Sequence, residues 1–437
     1  MFRVDGYWLN AGEQEECIAK LFEAGILVCD SSVNLPLKSG GKTDIYINAR
    51  LMRNTPWAIR YLGELYGNAL RRLRIQRILE VPEAVSPLAG HISALTDIPL
   101  VTVRESAKAG RVVSGTLIGD LKAGENVAVV DDVATDGESK IAALKEIRRA
   151  GANLVAIVAL VDRQGGWKKH LEGAGFPDVP FWFGMTLHDV RKCLLNSGLM
   201  RRCDPEVEAK NPIIVALDGK DWADLIPLLI QLRSTGCILK VNDLLMDQGI
   251  SNLIPNLSVY GRVMADLKCH DIPNTVANIC KRLRKCPPWA VTVHASGAGD
   301  MIKKAKEALA GTPTKVLAVT VLTSLDEKTC EEVYHWKPLD QALALGKAAV
   351  AAGADGLVCS PKELPAFRPE FSSYELVIPG LRSPGKEVND QARVDTPKNA
   401  RELGANYLVM GRQILESKDP VAEVQRVIKE ELGIEIK

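Results

Sequence analysis

The sequence predicts an α/β protein with two domains, both of which are built around parallel strands. In the first half, short apolar runs alternate with segments of helical periodicity, and in the second half this alternation repeats eight times at a regular spacing. A polar segment with a proline near each end separates the halves, as is typical of a domain boundary. We therefore predict domains at residues 1–200 and 212–437, joined by a linker at 201–211.

The composition argues against several classes of protein. With a net charge of +1 and interspersed charges, the chain offers no basic groove for nucleic acid and no basic face for a membrane. No apolar run approaches the roughly 18 residues of a membrane span, and the first residues lack the apolar core of a signal peptide. The ten cysteines include no C-x-x-C pair. We therefore expect a cytoplasmic protein with reduced thiols that acts on small molecules.

In the first half, the alternation of strand-like and helical patterns predicts a parallel sheet covered by helices. The strand-like runs are 77–81, 99–103, 127–133 and 154–161, and the helical segments are 14–28, 57–74 and 186–200. The third run ends in Asp131 and Asp132, and a helix is predicted to begin near Ser139. A strand–turn–helix junction offers free N–H groups to a phosphate, and adjacent acids can hold ribose hydroxyls and Mg²⁺. An ordinary junction with capping acids is the alternative.

The segment Val129-Val-Asp-Asp-Val-Ala-Thr-Asp-Gly137 resembles the phosphoribosyl-pyrophosphate (PRPP) motif of type I phosphoribosyltransferases. Lys38-Ser-Gly40, Tyr46-Ile-Asn48 and Asp162-Arg163-Gln164 resemble the orotate phosphoribosyltransferase subgroup. The resemblance implies that this half binds orotate and PRPP, with Mg²⁺ carried by PRPP near the two acids of the motif. The implied substrate-binding residues are Lys38, Tyr46, Arg104, Asp131, Asp132, Thr135, Gly137 and Arg163, with Lys108 as a catalytic residue.

This half also departs from the family pattern. Glu105 stands where the family has a lysine in its mobile catalytic loop, and that loop has no counterpart of the family's His or Tyr. Glu80 and Glu83 flank the pyrophosphate loop, and Asp136 lies in the phosphate loop. Acids placed where a polyanion should bind favour an alternative, in which the domain is a non-catalytic dimerising or regulatory module. Both interpretations stay open.

The second half contains eight strand-like runs in about 225 residues, which predict a closed (β/α)₈ barrel. The runs are 213–217, 238–241, 263–267, 290–295, 316–322, 356–359, 375–379 and 406–410, and helical segments include 221–235, 301–310, 340–352 and 397–403. The C-terminal ends of barrel strands build the active site. The residues at these ends are Asp218, Lys240, Asp266 with Lys268, His294, Thr323, Ser360, Gly380 with Arg382, and Gly411 with Arg412.

Two features of these ends point to chemistry. Asp266 and Lys268 are two residues apart, so on an extended strand they share a face, and Asp271 follows in the loop. A surface ion pair is the alternative for this motif. The segments Gly380-Leu-Arg382 and Gly411-Arg412 follow the seventh and eighth strands, where such barrels bind phosphate through glycine amides and a guanidinium fork. His294 is as readily a packing residue as a catalyst.

The second half resembles orotidine 5′-monophosphate (OMP) decarboxylase. The matching segments are Val215–Asp218, Leu239–Val241, Asp266–Thr275, Val321–Ser324, Ile378–Arg382, Asp390–Val394 and Gly411–Arg412. In this chemistry, loss of CO₂ leaves a carbanion at C6 of the pyrimidine, and a fixed ammonium stabilises and then protonates it. Lys268 fits this role, with Asp266, Asp271 and Lys240 as its charged neighbours. Asn242 stands where the family usually has glycine.

The same resemblance implies the roles of further residues. Asp218 and Lys240 would contact the ribose, Gln391 and Arg412 the 5′-phosphate, and Asp271 with Thr275 would enter the site of a partner subunit in a homodimer. Thr323, Ser324, Arg382 and Gly411 complete the implied substrate-binding set. No metal or organic cofactor is implied for this half.

The nearest rival is a related barrel, the sugar-phosphate decarboxylase and hexulose-phosphate synthase group. It shares the D-x-K-x-x-D motif but binds Mg²⁺ with a Glu at the second strand end, where this chain has Lys240. The order of the two halves resembles the bifunctional uridine monophosphate (UMP) synthase family. That resemblance implies two consecutive steps of pyrimidine synthesis: orotate plus PRPP to OMP and diphosphate, then OMP to UMP and CO₂.

Overall fold

The computed structural model describes residues 6–30, 35–36, 42–81, 85–108, 115–135, 137–385 and 395–435, with the backbone alone at 42, 104–108, 115 and 223. The chain forms two compact units, Met1–Met200 and Arg201–Lys437. Within the described ranges, no helix has the length and apolar character that crossing a membrane requires.

The first unit contains a seven-stranded sheet in the order β1-β11-β10-β9-β6-β7-β8. Every neighbouring pair is parallel except β7 and β8, which run antiparallel. The strands of this unit are β1 Gly6–Tyr7, β2 Leu27–Cys29, β3 Leu35–Pro36, β4 Lys42–Thr43, β5 Ile45–Ile47, β6 Arg77–Glu80, β7 Leu100–Lys108, β8 Gly115–Ile118, β9 Asn126–Ala134, β10 Asn153–Asp162 and β11 Phe181–Thr186. The predicted parallel sheet is confirmed.

Helices cover both faces of this sheet. They are α1 Ala11–Glu23, α2 Pro56–Leu73, α3 Ser86–Thr96, α4 Glu138–Ala150, α5 Trp167–Gly173 and α6 Leu187–Asn196, with a 3₁₀ turn at Ala49–Asn54. Successive side chains of a strand point to opposite faces. On β9, Val127 and Val129 therefore enter the core beneath α4 and α5, whereas Ala128 and Val130 enter the core on the other face. This double burial explains why the strand is a continuous apolar run.

The helix predicted over residues 14–28 is wrong at its C-terminal end. The helix ends at Glu23, Gly25 has a φ of +65°, and Leu27–Cys29 pairs with Ile45–Ile47 as a two-stranded antiparallel sheet. A residue with positive φ cannot continue a right-handed helix, and glycine adopts that conformation without steric cost. The predicted segment 186–200 is likewise helical only over Leu187–Asn196.

The second unit is a closed barrel of eight parallel strands, as predicted. The strands are β12 Ile213–Ala216, β13 Ile238–Val241, β14 Arg262–Cys269, β15 Ala290–His294, β16 Lys315–Val319, β17 Gly356–Val358, β18 Glu375–Ile378 and β19 Tyr407–Met410. The helices are α7 Pro205–Lys210, α8 Trp222–Leu232, α9 Leu244–Gln248, α10 Ile250–Ser258, α11 Pro273–Leu283, α12 Ala298–Leu309, α13 Glu327–Tyr334, α14 Pro338–Ala351, α15 Leu364–Glu370, α16 Pro397–Glu402, α17 Arg412–Leu415 and α18 Pro420–Arg426.

A layer of apolar side chains fills the barrel interior. Seven of the eight strands contribute one buried member each: Ile214, Ile238, Met264, Ala290, Leu317, Val377 and Val409. Val358 of β17, the remaining strand, packs against this layer. Such a layer closes the barrel as a packed core. The polar residues at the C-terminal strand ends therefore lie on an apolar floor.

Candidate active sites

A cavity of about 440 Å³ opens at the C-terminal ends of the barrel strands. Nine of the residues predicted from the sequence line it: Asp218, Lys240, Asp266, Lys268, Thr323, Gly380, Arg382, Gly411 and Arg412. Its floor includes Met264 and Val409 of the apolar layer. A concave, partly apolar site with a few convergent polar groups has the character of a small-molecule site.

Four charged side chains in this cavity form a chain of alternating sign. The ammonium of Lys240 lies 2.6 Å from Oδ2 of Asp218 and 3.1 Å from Oδ2 of Asp266. The ammonium of Lys268 lies 2.7 Å from the same Oδ2 of Asp266. The carboxylate of Asp266 thus holds both lysines, and each charge neighbours the opposite one.

Burial and charge act in opposite directions on this chain. Burial alone would raise the pKa of Asp266, but Lys240 and Lys268 hold that pKa below its ordinary value. Burial likewise favours the neutral form of Lys240, but Asp266 and Asp218 raise its pKa above the ordinary value. Both residues therefore remain charged at neutral pH.

Thr292 of β15 joins the two ends of the D-x-K segment. Its hydroxyl donates to Oδ1 of Asp266 at 2.8 Å and accepts the backbone N–H of Lys268 at 2.9 Å. The residue is fully buried. We did not predict it from the sequence, although it is the one hydroxyl within the apolar run 290–295 and could have been found by that signal.

The expectation of an extended backbone fails at Lys268. Its φ is +44°, in the left-handed region, and the pairing of β14 with β15 shifts register between Ala265 and Cys269. The two side chains meet as predicted, but through this local irregularity and not through strand alternation. A non-glycine residue in this region carries a conformational cost, and surrounding contacts such as that of Thr292 hold it in place.

Other predicted residues lie outside the cavity lining. Asp271 is exposed, and its Oδ1 accepts the N–H of Ile272 at 2.6 Å. Among the described residues it forms no ion pair with Lys268, so within one subunit it is not the neighbour that the motif suggested. Thr275 is half-buried in α11 and Ser324 is exposed. Gln391 lies outside the described residues.

His294, at the end of β15, is not among the residues that line the cavity. Its ring lies 5.3 Å from that of His270, and its Nδ1 is buried without a partner among the described residues. Burial, followed by the charges of His270 and Lys268, lowers the pKa of His294 below its ordinary value. A neutral imidazole is therefore the stable form in this position.

In the first unit, the acid pair lies at the C-terminal end of β9, as predicted. The carboxylate of Asp131 forms an ion pair with Lys140 of α4, and the side chains are 5% and 3% exposed, respectively. The ammonium of Lys140 also donates to the carbonyl of Val133 at 3.2 Å and to Oγ of Ser139 at 3.0 Å. Sequence reasoning missed Lys140, because a lysine in a helix is ordinarily placed on the surface.

Asp132 is less buried than Asp131. It is half-buried, and its Oδ1 accepts the N–H of Val133 at 2.7 Å. Burial, followed by the charge of Asp131, raises the pKa of Asp132 to about 8. Thr135 is exposed, and Gly137 has a φ of +86° at the start of α4. The turn predicted before a helix is therefore present.

The residues described here offer a poor fit to a Mg²⁺ ion held by protein ligands. No group of three or more His, Cys, Asp or Glu side chains with metal-binding geometry occurs in the described ranges. The carboxylate of Asp131 already faces an ammonium, which repels a divalent cation. The raised pKa of Asp132, about 8, keeps this group mostly protonated at neutral pH, so it could bind such an ion or its waters only in its ionised form.

The remaining predicted residues of this unit are positioned as follows. Tyr46 lies half-buried on β5, next to a fully buried ion pair in which Arg191 holds Asp44 at 2.6 and 2.7 Å. Burial lowers the pKa of Arg163, whose backbone N–H donates to the carbonyl of Ala134 at 2.8 Å. Lys38 and the side chains of Arg104 and Lys108 lie outside the described residues.

Glu80 ends β6 as a buried carboxylate. It accepts the hydroxyl of Thr102, and its Oε2 has no partner among the described residues. The acid that the sequence placed beside the pyrophosphate loop is thus directed into the domain.

Comparison with known proteins agrees with this geometry. Residues 211–427 match the orotidine 5′-phosphate decarboxylase / HUMPS family, and residues 81–180 match the phosphoribosyl transferase domain. The orotidine 5′-phosphate decarboxylase of Pseudoalteromonas translucida is 40% identical over 228 residues, covering 51% of this chain and 97% of that protein. That of Nitrosococcus oceani is 39% identical over 223 residues, covering 50% and 96%.

Among solved structures, Leishmania donovani UMP synthase is 31% identical, with a TM-score of 0.37, and the match covers 43% of this chain and 39% of that chain. These two curated relatives are covered along almost their whole length, and the family model that carries the same name matches residues 211–427, in the barrel half. The phosphoribosyltransferase match falls entirely within the first unit. The chain therefore belongs to the orotidine 5′-phosphate decarboxylase family and joins that barrel to an N-terminal phosphoribosyltransferase domain.

Proposed function

We propose that the barrel converts OMP to UMP and CO₂ without a metal or an organic cofactor. The observation that carries this proposal is the chain Asp218–Lys240–Asp266–Lys268, which fixes two lysine side chains in the lining of an apolar-floored cavity. Such a fixed ammonium is what a carbanion-forming reaction requires.

In the proposed reaction, the bond between C6 and the carboxylate breaks and its electron pair stays on C6. The ammonium of Lys268 stabilises that charge and then transfers a proton from Nζ to C6, so that UMP and CO₂ result. Asp266, which binds both lysines, fixes the position of Lys268.

The position of Lys240 supports this reaction over a metal-dependent one. Its ammonium lies 3.1 Å from the carboxylate of Asp266, where a sugar-phosphate decarboxylase would direct its acids at Mg²⁺. A cation fixed there would repel the metal by several kcal/mol even at an effective dielectric of about 20.

The substrate-binding residues that we propose combine the lining of the cavity with Ser324 and Gln391, which are assigned from the family resemblance. We assign the ribose to Asp218 and Lys240, and the 5′-phosphate to Gly411 and Arg412 together with Gln391. Thr323, Ser324 and Arg382 complete the proposed substrate-binding set.

We also propose a homodimer in which each subunit completes the other's site. Asp271 and Thr275 lie away from the lining of their own cavity, and Ile272 between them is 66% exposed. An exposed apolar residue beside an exposed acid fits a contact with a second copy of the chain.

For the first unit, residues 1–200, we propose the reaction of orotate with PRPP to give OMP and diphosphate, with Mg²⁺ bound through PRPP. Residues 212–437 then form the decarboxylase, joined by 201–211. The arrangement of Asp132, Thr135 and Gly137 at the start of α4 supports this activity. The burial of Asp131 against Lys140 favours the second candidate, a weak or silent domain.

The experiment that tests the barrel's function is to supply the purified full chain with OMP alone and to follow the absorbance change that accompanies decarboxylation. Turnover without added metal supports the proposal. Absence of turnover in a folded protein that binds UMP contradicts it. Orotate with PRPP and Mg²⁺ tests the first unit in the same way.

A further inference from the structure

A polar network links the two strand ends that carry Arg382 and Arg412, the arginines of the two segments in which the sequence predicts a phosphate site. Ser383 directly follows Arg382, and Gln413 directly follows Arg412. The N–H of Ser383 donates to Oε1 of Gln413 at 2.9 Å, and Nε2 of Gln413 donates to Oγ of Ser383 at 2.5 Å. The two loops are thus joined by a reciprocal pair of hydrogen bonds, one residue beyond each arginine.

The rest of this network comes from the C-terminal helix, which is α18 together with the helical turn Val427–Glu431 that continues it. Arg426 donates to Oγ of Ser383 at 2.9 Å and forms ion pairs of 2.9 Å with both Glu423 and Glu431. Gln413 also donates to Glu423 at 2.7 Å. We call the set Ser383, Gln413, Glu423, Arg426 and Glu431 the C-terminal clamp.

Burial makes these contacts stronger than those of an ordinary surface cluster. The side chains of Glu423 and Glu431 are 12% and 10% exposed, and Ser383 is 5% exposed. Hydrogen bonds to charged groups are short and strong, and water competes with them less when they are buried. The guanidinium of Arg426 contacts Ser383, Glu423 and Glu431, so its removal takes the positive charge away from two largely buried carboxylates.

We infer that Arg426 and Gln413 are positioning residues for phosphate binding. They hold the loops of Arg382 and Arg412 at the spacing that a phosphate needs, and they connect that spacing to the packing of the C-terminal helix. This inference rests on the proposed function, because it takes the phosphate of OMP as the group bound there. None of the clamp residues lines the cavity, so they act through the arginines.

The test compares a ligand that carries the phosphate with one that lacks it. Arg426→Met and Gln413→Leu are made in the full chain, and binding of UMP and of uridine is measured by calorimetry or by competition with OMP. UMP binding should weaken about tenfold or more, whereas uridine binding should change by less than about twofold. Arg426→Lys, which keeps the charge without the fork, should lie between wild type and Arg426→Met.

Arg368 provides a matched control. It is half-buried like Arg426, but it joins the starts of β18 and β19, donating to the carbonyl of Tyr374 at 2.9 Å and to Asn406 at 3.4 Å. Arg368→Met should lower the melting temperature and leave the ratio of UMP to uridine affinity unchanged.

Equal weakening of both ligands, or no weakening of UMP in a folded Arg426→Met or Arg426→Lys protein, overturns the inference. If wild type binds UMP no better than uridine, the proposed function itself fails. The two failures are therefore distinguished by the wild-type ratio alone.

Discussion

Lys140 and Asp131 form an ion pair whose side chains are only 3% and 5% exposed. It lies in the phosphoribosyltransferase domain, where the resemblance assigns Asp131 to the ribose of PRPP. The internal ammonium takes up part of the acceptor capacity of this carboxylate and offsets its charge, which weakens its attraction for a metal ion. This ion pair therefore bears directly on whether the domain binds the ribose of PRPP with both acids, with Asp132 alone, or with neither.

We predict that Asp131 has a structural role. Its negative charge should contribute to the stability of the domain only by pairing with the positive charge of Lys140. Lys140→Met should lower the free energy of unfolding of the first unit by about 3–5 kcal/mol, because it leaves a buried carboxylate unpaired. The double variant Asp131→Asn/Lys140→Met should recover most of this loss. Calorimetry measures both, and the barrel transition is recognised because UMP raises its temperature.

Turnover of orotate then decides the role of Asp131. The double variant should keep transferase activity within a few fold of wild type if Asp132 alone holds the ribose. Loss of turnover in a stable double variant would show that Asp131 binds the substrate. Arg77→Met/Glu125→Gln is a suitable control, since this pair bonds at 3.1 Å just before β9, at the opposite end of the strands.

The second prediction concerns the proton donor of the barrel. Lys268→Ala should lower kcat on OMP by many powers of ten, because both the charge that stabilises C6 and the proton that reaches it are lost. Binding of UMP should stay measurable. The rate constant of the variant is measured in assays that are stopped at fixed times. A rate within about tenfold of wild type, equivalent to about 1.4 kcal/mol of activation free energy, would contradict the assignment of Lys268 as the proton donor.

The barrel and most of its site could be predicted from the sequence because each depends on a periodic pattern. Eight apolar runs at regular spacing specify a closed barrel, and in that fold the residues at the C-terminal end of each run lie at one rim. Asp218 follows its run directly, Lys240 is next to the end of its strand and Arg412 comes two residues after its strand, so this rule alone places all three at the rim.

The features that escaped prediction depend on contacts between distant segments. The positive φ of Lys268 is held in part by Thr292, which is 24 residues away, and the clamp joins Ser383 to a helix 43 residues later. The burial of Lys140 likewise follows from the packing of α4 on β9. Local propensity contains no signal for such pairs, since tertiary contacts override it.

A third prediction is that acid destabilises the barrel in part through His294. The pKa of this residue in the folded state lies below its ordinary value, so the unfolded chain binds the extra proton more readily. Stability should therefore fall as pH drops below about 6.5, the value for an unperturbed histidine. His294→Gln should reduce the fall in the melting temperature of the barrel between about pH 7.5 and pH 5.5.

The control is His335→Asn. His335 is exposed and has a φ of +60°, a conformation that asparagine tolerates, so this variant should keep the pH dependence of wild type. The same slope in wild type and in His294→Gln would exclude a contribution from His294.

A fourth prediction tests the proposed sharing of sites across a dimer. Lys268→Ala and Asp271→Ala proteins should each be nearly inactive. In a mixed dimer, one site carries both lesions and the other carries neither. With random exchange about half of the dimers are mixed, so roughly a quarter of wild-type activity should return. Mass spectrometry establishes the exchange, and no recovery after demonstrated exchange would mean that each site is complete within one subunit.

The last prediction separates the two domains by their need for metal. We expect the proposed transferase reaction to require Mg²⁺, because PRPP is a polyanion that would carry the metal into the site. We expect the proposed decarboxylase reaction to use Lys240 and Lys268 in place of a metal. EDTA should therefore abolish the conversion of orotate and leave the conversion of OMP unchanged within error. Both activities are followed by absorbance in the same preparation of the full chain. Loss of both with EDTA, restored together by Mg²⁺, would favour the metal-dependent sugar-phosphate chemistry of related barrels.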